Sequence, residues 1–210
     1  MYTTDIDMKS HIETRISQAV DVVQGLNKHT EDIAEISRAI IHCFEQGGTL
    51  FVAGNGGSAA QANHLCEELT GRYRETRPAL PAHCLCSDAV AMTCIANDFG
   101  WDQVFRRQLE AFATYIIDEH EEQSCNDLLL VLTTSGNSEN INEALDFAND
   151  LGMMTLGLLG RDGGESKSKC TLNVTLDAND SAAIQDGHHV IIHAICEAIE
   201  QWVLESIEND

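Results

Sequence analysis

The sequence predicts an α/β protein built on a parallel sheet, and two observations support that prediction. Short apolar segments alternate with longer segments of helical periodicity along most of the chain. The short segments, such as 128–132 (LLLVL), are apolar at every position, as strands buried on both faces are. The 210 residues are enough for one domain with its own hydrophobic core.

The first 47 residues predict a helical hairpin. The first helix has an apolar stripe at helical spacing, formed by Met8, Ile12, Ile16, Ala19, Val20 and Val23. After a break at 27–30, Thr30 can cap a second helix, which Gly47 and Gly48 end. Its stripe is formed by Ile33, Ile36, Ile40 and Phe44. Both stripes suit subunit packing as well as the core, so 1–47 is assigned to oligomerisation within the same domain and 48–210 to the α/β unit.

The remaining elements follow in alternating order. Apolar segments bounded by turn residues predict strands at 49–53, 82–86, 127–132, 154–159 and 171–175. Helical periodicity predicts helices at 58–72, 88–97, 103–117, 139–151 and 182–207. Two of the strands end in polar loops that open a helix, which is where ligands bind in open parallel sheets.

The charge balance excludes several partners. Twelve basic against 34 acidic residues give a net charge of −22, which disfavours nucleic acid and anionic membranes because both need clustered Lys and Arg. No segment is long and apolar enough for a transmembrane span. The N-terminus lacks the basic and apolar regions of a signal peptide, so a cytoplasmic location is expected. The eight cysteines form no CxxC pair and are expected to be reduced.

The two polar loops are candidates for anion binding. Gly54 to Ser58 leads into a helix whose free N–H groups could hold a phosphate, although an ordinary glycine-rich turn fits as well. The loop 133–138 is more specific because it has four hydroxyl residues in six positions: Thr133, Thr134, Ser135 and Ser138. Helix capping needs only one of these hydroxyls, so a neutral phosphate site is favoured.

Two helices carry groups suited to metal binding or acid–base chemistry. His64 and Glu68 lie four residues apart and share a helix face; a metal pair, an acid–base couple and a surface pair remain open. The last helix carries Gln185, His188, His189 and His193. Gln185 and His193 are roughly 12 Å apart along the helix axis, so they meet at one site only by converging or by coming from different subunits.

Taken together, these features resemble the sugar isomerase (SIS) domain family. The matching segments are 54–58 (GNGGS), 67–74 (EELTGRYR), 97–100 (NDFG), 134–138 (TSGNS), 162–164 (DGG) and Gln185 with His188 and His193. The resemblance implies a doubly wound, five-stranded parallel sheet and a homotetramer with active sites at subunit interfaces. It also implies an aldose–ketose isomerase that converts sedoheptulose 7-phosphate to D-glycero-D-manno-heptose 7-phosphate, the first step toward nucleotide-activated heptose and lipopolysaccharide precursors.

The resemblance also assigns roles to residues. It implies one zinc ion per subunit, held by His64, Glu68, Gln185 and His193, and no role for His189. It implies substrate binding by a set drawn from both loops and three helices: Asn55, Gly56, Gly57, Ser58, Glu68, Asn97, Asp98, Thr133, Thr134, Ser135, Ser138 and Gln185. Glu68 and His193 map onto the catalytic acid and base, in either order.

Two alternative functions fit the sequence less well. A non-catalytic SIS protein that associates with the replication initiator lacks the catalytic Glu and the last His, whereas Glu68 and His193 are both present here. A sugar-phosphate-sensing regulator usually adds a helix-turn-helix domain to the SIS domain. A chain of 210 residues with net charge −22 has no room for a DNA-binding half.

Overall fold

The computed structural model describes residues 7–114, 116–117 and 123–208. The described strands are β1 (Leu50–Gly54), β2 (Ala82–Cys84), β3 (Ile116–Ile117), β4 (Gln123–Ser124), β5 (Leu128–Thr133), β6 (Met154–Gly160) and β7 (Leu172–Leu176). The described α-helices are α1 (Met8–Gln24), α2 (Thr30–Glu45), α3 (Gly57–Thr70), α4 (Ala89–Phe99), α5 (Arg106–Phe112), α6 (Glu139–Asp150), α7 (Ser166–Lys169) and α8 (Ser181–Glu208). Short 3-10 turns connect α1 to α2 and precede α5.

The central sheet has five parallel strands in the order β2-β1-β5-β6-β7, which confirms the predicted fold class. Successive side chains of β5 point to opposite faces. Leu128, Leu130 and Leu132 join a core formed with α2, α3 and α8. Leu129 and Val131 join a second core formed with α5 and α6. Helices therefore cover both faces, and this burial explains why β5 is apolar at every position.

The strand order places the candidate loops side by side. From β1 the chain moves to β2 on one side, whereas β5 leads to β6 and β7 on the other. The direction in which successive strands are added to the sheet therefore reverses between β1 and β5, and ligands bind at this position in such sheets. β1 and β5 pair directly through Gly54 and Leu132. The loops that follow them, 55–58 and 134–138, therefore lie next to each other.

The N-terminal hairpin packs on the long C-terminal helix. α1 and α2 both contact α8, and α2 also contacts β7. A Cβ atom at Gly187 on α8 would overlap Leu176 and Val22, so glycine permits the close approach of α1 and β7 there. None of the residues of α1 is buried, and its apolar stripe stays largely exposed: Met8, Ile12, Ile16 and Val20.

One predicted helix is wrong in its second half. The sequence predicts a helix at 103–117, but α5 ends at Phe112 and residues 116–117 form an antiparallel pair with 123–124. The cause is buried Asp127, whose carboxylate accepts hydrogen bonds from the backbone N–H and the hydroxyl of Thr114. The other carboxylate oxygen accepts the N–H of Thr49, so Asp127 ties this segment to the sheet and draws it out of the helix.

Among the described residues, no helix combines the length and the apolar character needed to cross a bilayer. All eight cysteines are free thiols, as expected from the sequence.

The strand predicted at 82–86 is shorter, since β2 ends at Cys84. The hydroxyl of Ser87 donates to the Cys84 carbonyl in the turn that follows.

Candidate active site

A small pocket of about 70 Å³ lies at the switch point of the sheet. Residues of both loops and of α8 line it: Asn55, Ser58, Leu132, Thr133, Thr134, Ser135, Ser138 and Gln185. None of these lining residues is Lys or Arg. The structure thus brings together most of the residues that the sequence assigns to phosphate binding, in a pocket whose donors are neutral.

The hydroxyl groups of the second loop have different partners. Thr133 accepts the N–H of Gly136, and Ser135 accepts the N–H of Asn137. Ser138 occupies the N-cap position of α6, but its side chain makes no capping hydrogen bond. Capping therefore does not account for the Ser138 hydroxyl, which lines the pocket next to the N-terminus of α6 and is available to a ligand.

A third loop, between β6 and α7, packs against the loop 133–138, which is called the hydroxyl loop below. Gly136 has a φ of 66°, and a Cβ atom there would overlap the carbonyl of Gly163. Ser166 donates two hydrogen bonds to the Gly136 carbonyl, from its N–H and its hydroxyl. The N–H of Glu165 donates to the side chain of Asn137. These contacts fix the backbone of the loop before any ligand arrives.

The first loop brings α3 and α8 close together. Gly56 precedes α3 with a φ of 56°, a conformation that favours glycine. A Cβ atom at Gly57 would overlap the side-chain amide of Gln185. The carbonyl of Gln185 accepts a hydrogen bond of 2.7 Å from Gln61 Nε2. Gln185 is therefore held beside the N-terminus of α3, at the pocket.

Further along the same two helices, imidazole and carboxylate groups converge. His64 Nε2 lies 3.1 Å from His193 Nε2 and 3.4 Å from Glu68 Oε1. His189 joins them: its ring stacks on His64 with centroids 4.9 Å apart and meets the edge of His193 at 4.7 Å. One ligand nitrogen from each of the three histidines lies within 4.8 Å of the others.

Burial shifts the pKa values of several groups in this cluster. It raises the pKa of the Glu68 carboxyl, and the neighbouring charge of Glu67 adds to the increase, while His64 opposes it. Burial lowers the pKa of His189, and the proximity of His64 lowers it further. The pKa of His193 is lowered by burial and then by His189 and His64. Neutral imidazoles are thereby favoured, and these are the form that binds metal ions.

Not all predicted residues reach the pocket or the cluster. Asn97 and Asp98 lie on the last turn of α4, exposed, where the Asn97 amide donates to the Asp98 carboxylate. Neither lines the pocket. α4 has no buried residue and exposes Val90. Within a single chain, Asn97 and Asp98 therefore lie outside the pocket, although the sequence assigns them to substrate binding.

One residue of the site, Asn140, was missed from the sequence, and another, His189, was noted there but given no role. Asn140 is buried and exchanges hydrogen bonds with Asn55; only the adjacency of the two loops reveals it. His189 lies four residues from both Gln185 and His193, so spacing alone places the three on one face of α8. His188, in contrast, is fully buried and its Nε2 lies within hydrogen-bond distance, 3.1 Å, of the Leu159 carbonyl oxygen, so its role is structural.

Comparison with known proteins agrees with this geometry. A family model described as the SIS domain matches residues 16–160. A phosphoheptose isomerase from Geobacter metallireducens is 41% identical over 199 residues, which cover 94% of this chain and 100% of that protein. One from Pelobacter propionicus is 43% identical over 169 residues, covering 80% and 84%.

Solved structures give the same result. Phosphoheptose isomerase GmhA from Neisseria gonorrhoeae matches with a TM-score of 0.83 and 30% identity, covering 92% of this chain and 99% of that one. A phosphoheptose isomerase from Francisella tularensis matches with a TM-score of 0.77, also at 30% identity, covering 95% and 100%. The chain therefore belongs to the SIS domain family and, within it, to the phosphoheptose isomerases.

Proposed function

We propose that this protein is an aldose–ketose isomerase that converts sedoheptulose 7-phosphate to D-glycero-D-manno-heptose 7-phosphate. One observation supports the proposal most directly: a hydroxyl-lined pocket and a carboxylate–imidazole cluster lie along the same pair of helices, α3 and α8. From Gly57 at the pocket to His64 in the cluster, α3 rises by about 10 Å. An open-chain sugar phosphate likewise carries its phosphate and its carbonyl at opposite ends.

The pocket accounts for phosphate binding. Thr134, Ser135 and Ser138 line the pocket, and Ser138 is the N-cap of α6, where backbone N–H groups and the helix dipole favour an anion. Neutral donors suit a protein whose net charge is −22. Asn55 and Gln185 also line the pocket, where they would contact the sugar hydroxyls. Gly56 and Gly57 would let the backbone approach them.

The cluster accounts for the proton transfers. Isomerisation removes a proton from C1 of the ketose and returns a proton to C2, while the hydroxyl proton on O1 is lost and the carbonyl oxygen O2 gains a proton. Glu68 is assigned as the base that moves the carbon-bound proton, because burial raises the pKa of its carboxyl toward the working range. His193 is assigned as the acid that serves the oxygens. The opposite assignment, with His193 as the base and Glu68 as the acid, is distinguished by the proton-exchange measurement described below.

The donor set fits a zinc ion. Ligands at about 2.0–2.1 Å in a tetrahedral site lie about 3.3 Å from one another. His64 Nε2 lies 3.1 Å from His193 Nε2 and 3.4 Å from Glu68 Oε1, both close to that value, and His64 is the member shared by the imidazole group and the carboxylate group that could hold an ion. His64, Glu68 and His193 would hold one ion per subunit, with Gln185 as the fourth ligand by resemblance. A zinc ion held there would polarise the carbonyl of the substrate and offset negative charge on its oxygens.

The proposal extends to assembly and location. The exposed apolar stripe of α1 is typical of a surface that pairs with a second copy, and it supports a homotetramer with sites at subunit interfaces. Asn97 and Asp98 on exposed α4 would then reach a site that a single chain leaves incomplete. The eight free cysteines suit the reducing cytoplasm.

The test is a direct assay. The protein is incubated with sedoheptulose 7-phosphate in D2O, and the aldoheptose phosphate and its deuterium at C2 are measured by NMR. We expect product with wild type, and none with Glu68→Gln or His193→Gln. If Glu68 is the base, Glu68→Gln also stops the exchange of the C1 proton, whereas His193→Gln retains part of it. Absence of aldoheptose phosphate with the metal-loaded wild type contradicts the proposed function.

A further inference from the structure

The face of α8 that meets α3 carries one histidine more than the resemblance uses. His189 lies midway between Gln185 and His193, four residues from each, and therefore on the same face. Its ring is nearly parallel to that of His64, with 15° between the planes, and nearly perpendicular to that of His193, at 75°. His189 is only partly buried, so the helix packing by itself does not require an imidazole there.

The ligand atoms of the three histidines are close enough for one ion. One nitrogen each from His64, His189 and His193 lies within 4.8 Å of the other two. One of these separations, 3.1 Å between His64 Nε2 and His193 Nε2, is close to the edge of a tetrahedral zinc site, about 3.3 Å. Three imidazoles on one ion form an established donor set for catalytic zinc, which leaves one position for a further ligand.

Gln185 is held elsewhere. Its side-chain amide lies against Gly57, and the residue lines the hydroxyl pocket; its backbone carbonyl accepts a hydrogen bond from Gln61. Along the axis of α8, Gln185 is about 12 Å from His193, whereas His189 is only about 6 Å from it. A carbonyl oxygen is also a poorer partner for zinc than an imidazole nitrogen. Position and chemistry both favour His189.

We propose that His189 is a metal ligand in this chain, taking the place that the resemblance gives to Gln185, so that zinc is held by the imidazoles of His64, His189 and His193 beside Glu68. Gln185 then belongs to the substrate pocket alone. This inference rests on the proposed metal-assisted isomerase and deepens it. The third imidazole replaces a weak neutral oxygen ligand, so zinc binds more tightly than an amide-containing site allows.

The test measures metal affinity. The protein is stripped with a chelator, and zinc binding is followed in competition with a chromophoric chelator for wild type, His189→Gln, Gln185→Ala and His42→Gln. His42 is an exposed histidine on α2, outside the cluster, and controls for the substitution itself. We expect His189→Gln to weaken zinc binding by at least about 10-fold, the loss that even indirect ligand contacts cause. Gln185→Ala and His42→Gln should bind within about 2-fold of wild type. Wild-type affinity in His189→Gln, or a comparable loss in Gln185→Ala, overturns the proposal.

A second measurement needs no variant. Wild-type protein is treated with diethylpyrocarbonate with and without zinc, and the modification of each histidine is read by mass spectrometry. Zinc should protect His64, His189 and His193 and leave His42 unchanged. Equal modification of His189 in both samples contradicts the proposal even if His189→Gln fails to fold. Isomerase activity is measured on the same samples. If zinc protects His189 but the protein has no isomerase activity, the proposed function is wrong and the assignment of His189 as a zinc ligand stands.

Discussion

Asn55 and Asn140 exchange two hydrogen bonds, of 2.8 and 2.9 Å, between the loop after β1 and the first turn of α6. Each amide donates to the oxygen of the other, so both are oriented. Asn55 lines the pocket, whereas Asn140 is buried behind it, 1% exposed. The pair thus fixes the distance between the two loops that line the pocket.

Asn140→Ala should therefore weaken substrate binding through a residue that does not itself line the pocket. Loss of one partner leaves the partly buried Asn55 amide without either hydrogen bond, at a cost of about 1 kcal/mol per hydrogen bond in the free energy of unfolding. We expect KM for the sugar phosphate to rise and the urea midpoint to fall. Asn63→Ala is the matched control, because Asn63 is exposed on α3. Unchanged KM and stability in Asn140→Ala would show that the pair has no positioning role.

The hydroxyl loop gives a second prediction. Replacing Ser135 and Ser138 together by Ala removes two neutral phosphate donors that line the pocket. Because Ser138 does not cap α6, its loss should raise KM with little effect on thermal stability. Ser168→Ala, on the exposed short helix α7, is the control and should leave KM unchanged. A double variant with wild-type KM means that the phosphate binds elsewhere.

A buried ion pair supports the end of the helix that carries Glu68. The guanidinium of Arg77 donates to the carbonyls of Glu68 and Leu69, at 2.6 and 2.9 Å. It lies 3.7 Å from the carboxylate of Glu200, and both side chains are almost fully buried. Glu200 in turn accepts the N–H groups of Arg74 and Glu75. Arg77 thus satisfies carbonyls at the C-terminus of α3 while Glu200 balances its charge.

Arg77→Met should lower the free energy of unfolding by about 3–5 kcal/mol, since it leaves the Glu200 carboxylate buried and unpaired. Adding Glu200→Gln removes that charge while keeping an acceptor for the two N–H groups. The double variant should therefore be more stable than Arg77→Met alone, as measured by urea denaturation. If the double variant is less stable than the single one, the charge of Glu200 is not the source of the loss.

The sequence predicts the sheet and the loops well because their signals are local. The apolar run of β5 and the hydroxyls at 133–138 are visible without any tertiary contact. The end of α5 was not predictable, because Asp127 draws Thr114 out of the helix from 13 residues away. The hydrogen bonds between Asn140 and Asn55 form only because β1 pairs with β5, and His189 reaches His64 only because α3 packs on α8. What the sequence missed therefore depends on contacts between distant segments.

Stability should depend on pH through His188. Burial lowers the pKa of its imidazole from 6.5 to about 4, so between these values the unfolded chain binds a proton that the folded chain does not. Stability from this group is therefore present above pH 6.5 and is lost as the pH falls, by up to about 1.4 kcal/mol per pH unit. His188→Gln should flatten that dependence between pH 6.5 and 5, measured by urea denaturation in the presence of EDTA. An identical pH slope in both proteins contradicts this assignment.

The exposed stripe on α1 gives the last prediction. Met8, Ile12, Ile16 and Val20 are 63, 59, 58 and 45% exposed, although they recur every four residues and form one apolar face. An exposed apolar face of this kind is typical of an interaction surface, and we assign a second copy of the chain to it. Ile12→Glu with Ile16→Glu places two charges on this surface and should convert the proposed tetramer to smaller species, measured by light scattering after gel filtration.

The control is Ser17→Glu, which adds a charge to another exposed face of α1 and should leave the assembly intact. Because α1 has no buried residue, the two isoleucines contribute little to the core of their own chain. The double variant should therefore stay folded by circular dichroism while its activity falls, since sites at subunit interfaces are lost with the assembly. A fully active tetramer carrying both glutamates would show that another surface holds the subunits together.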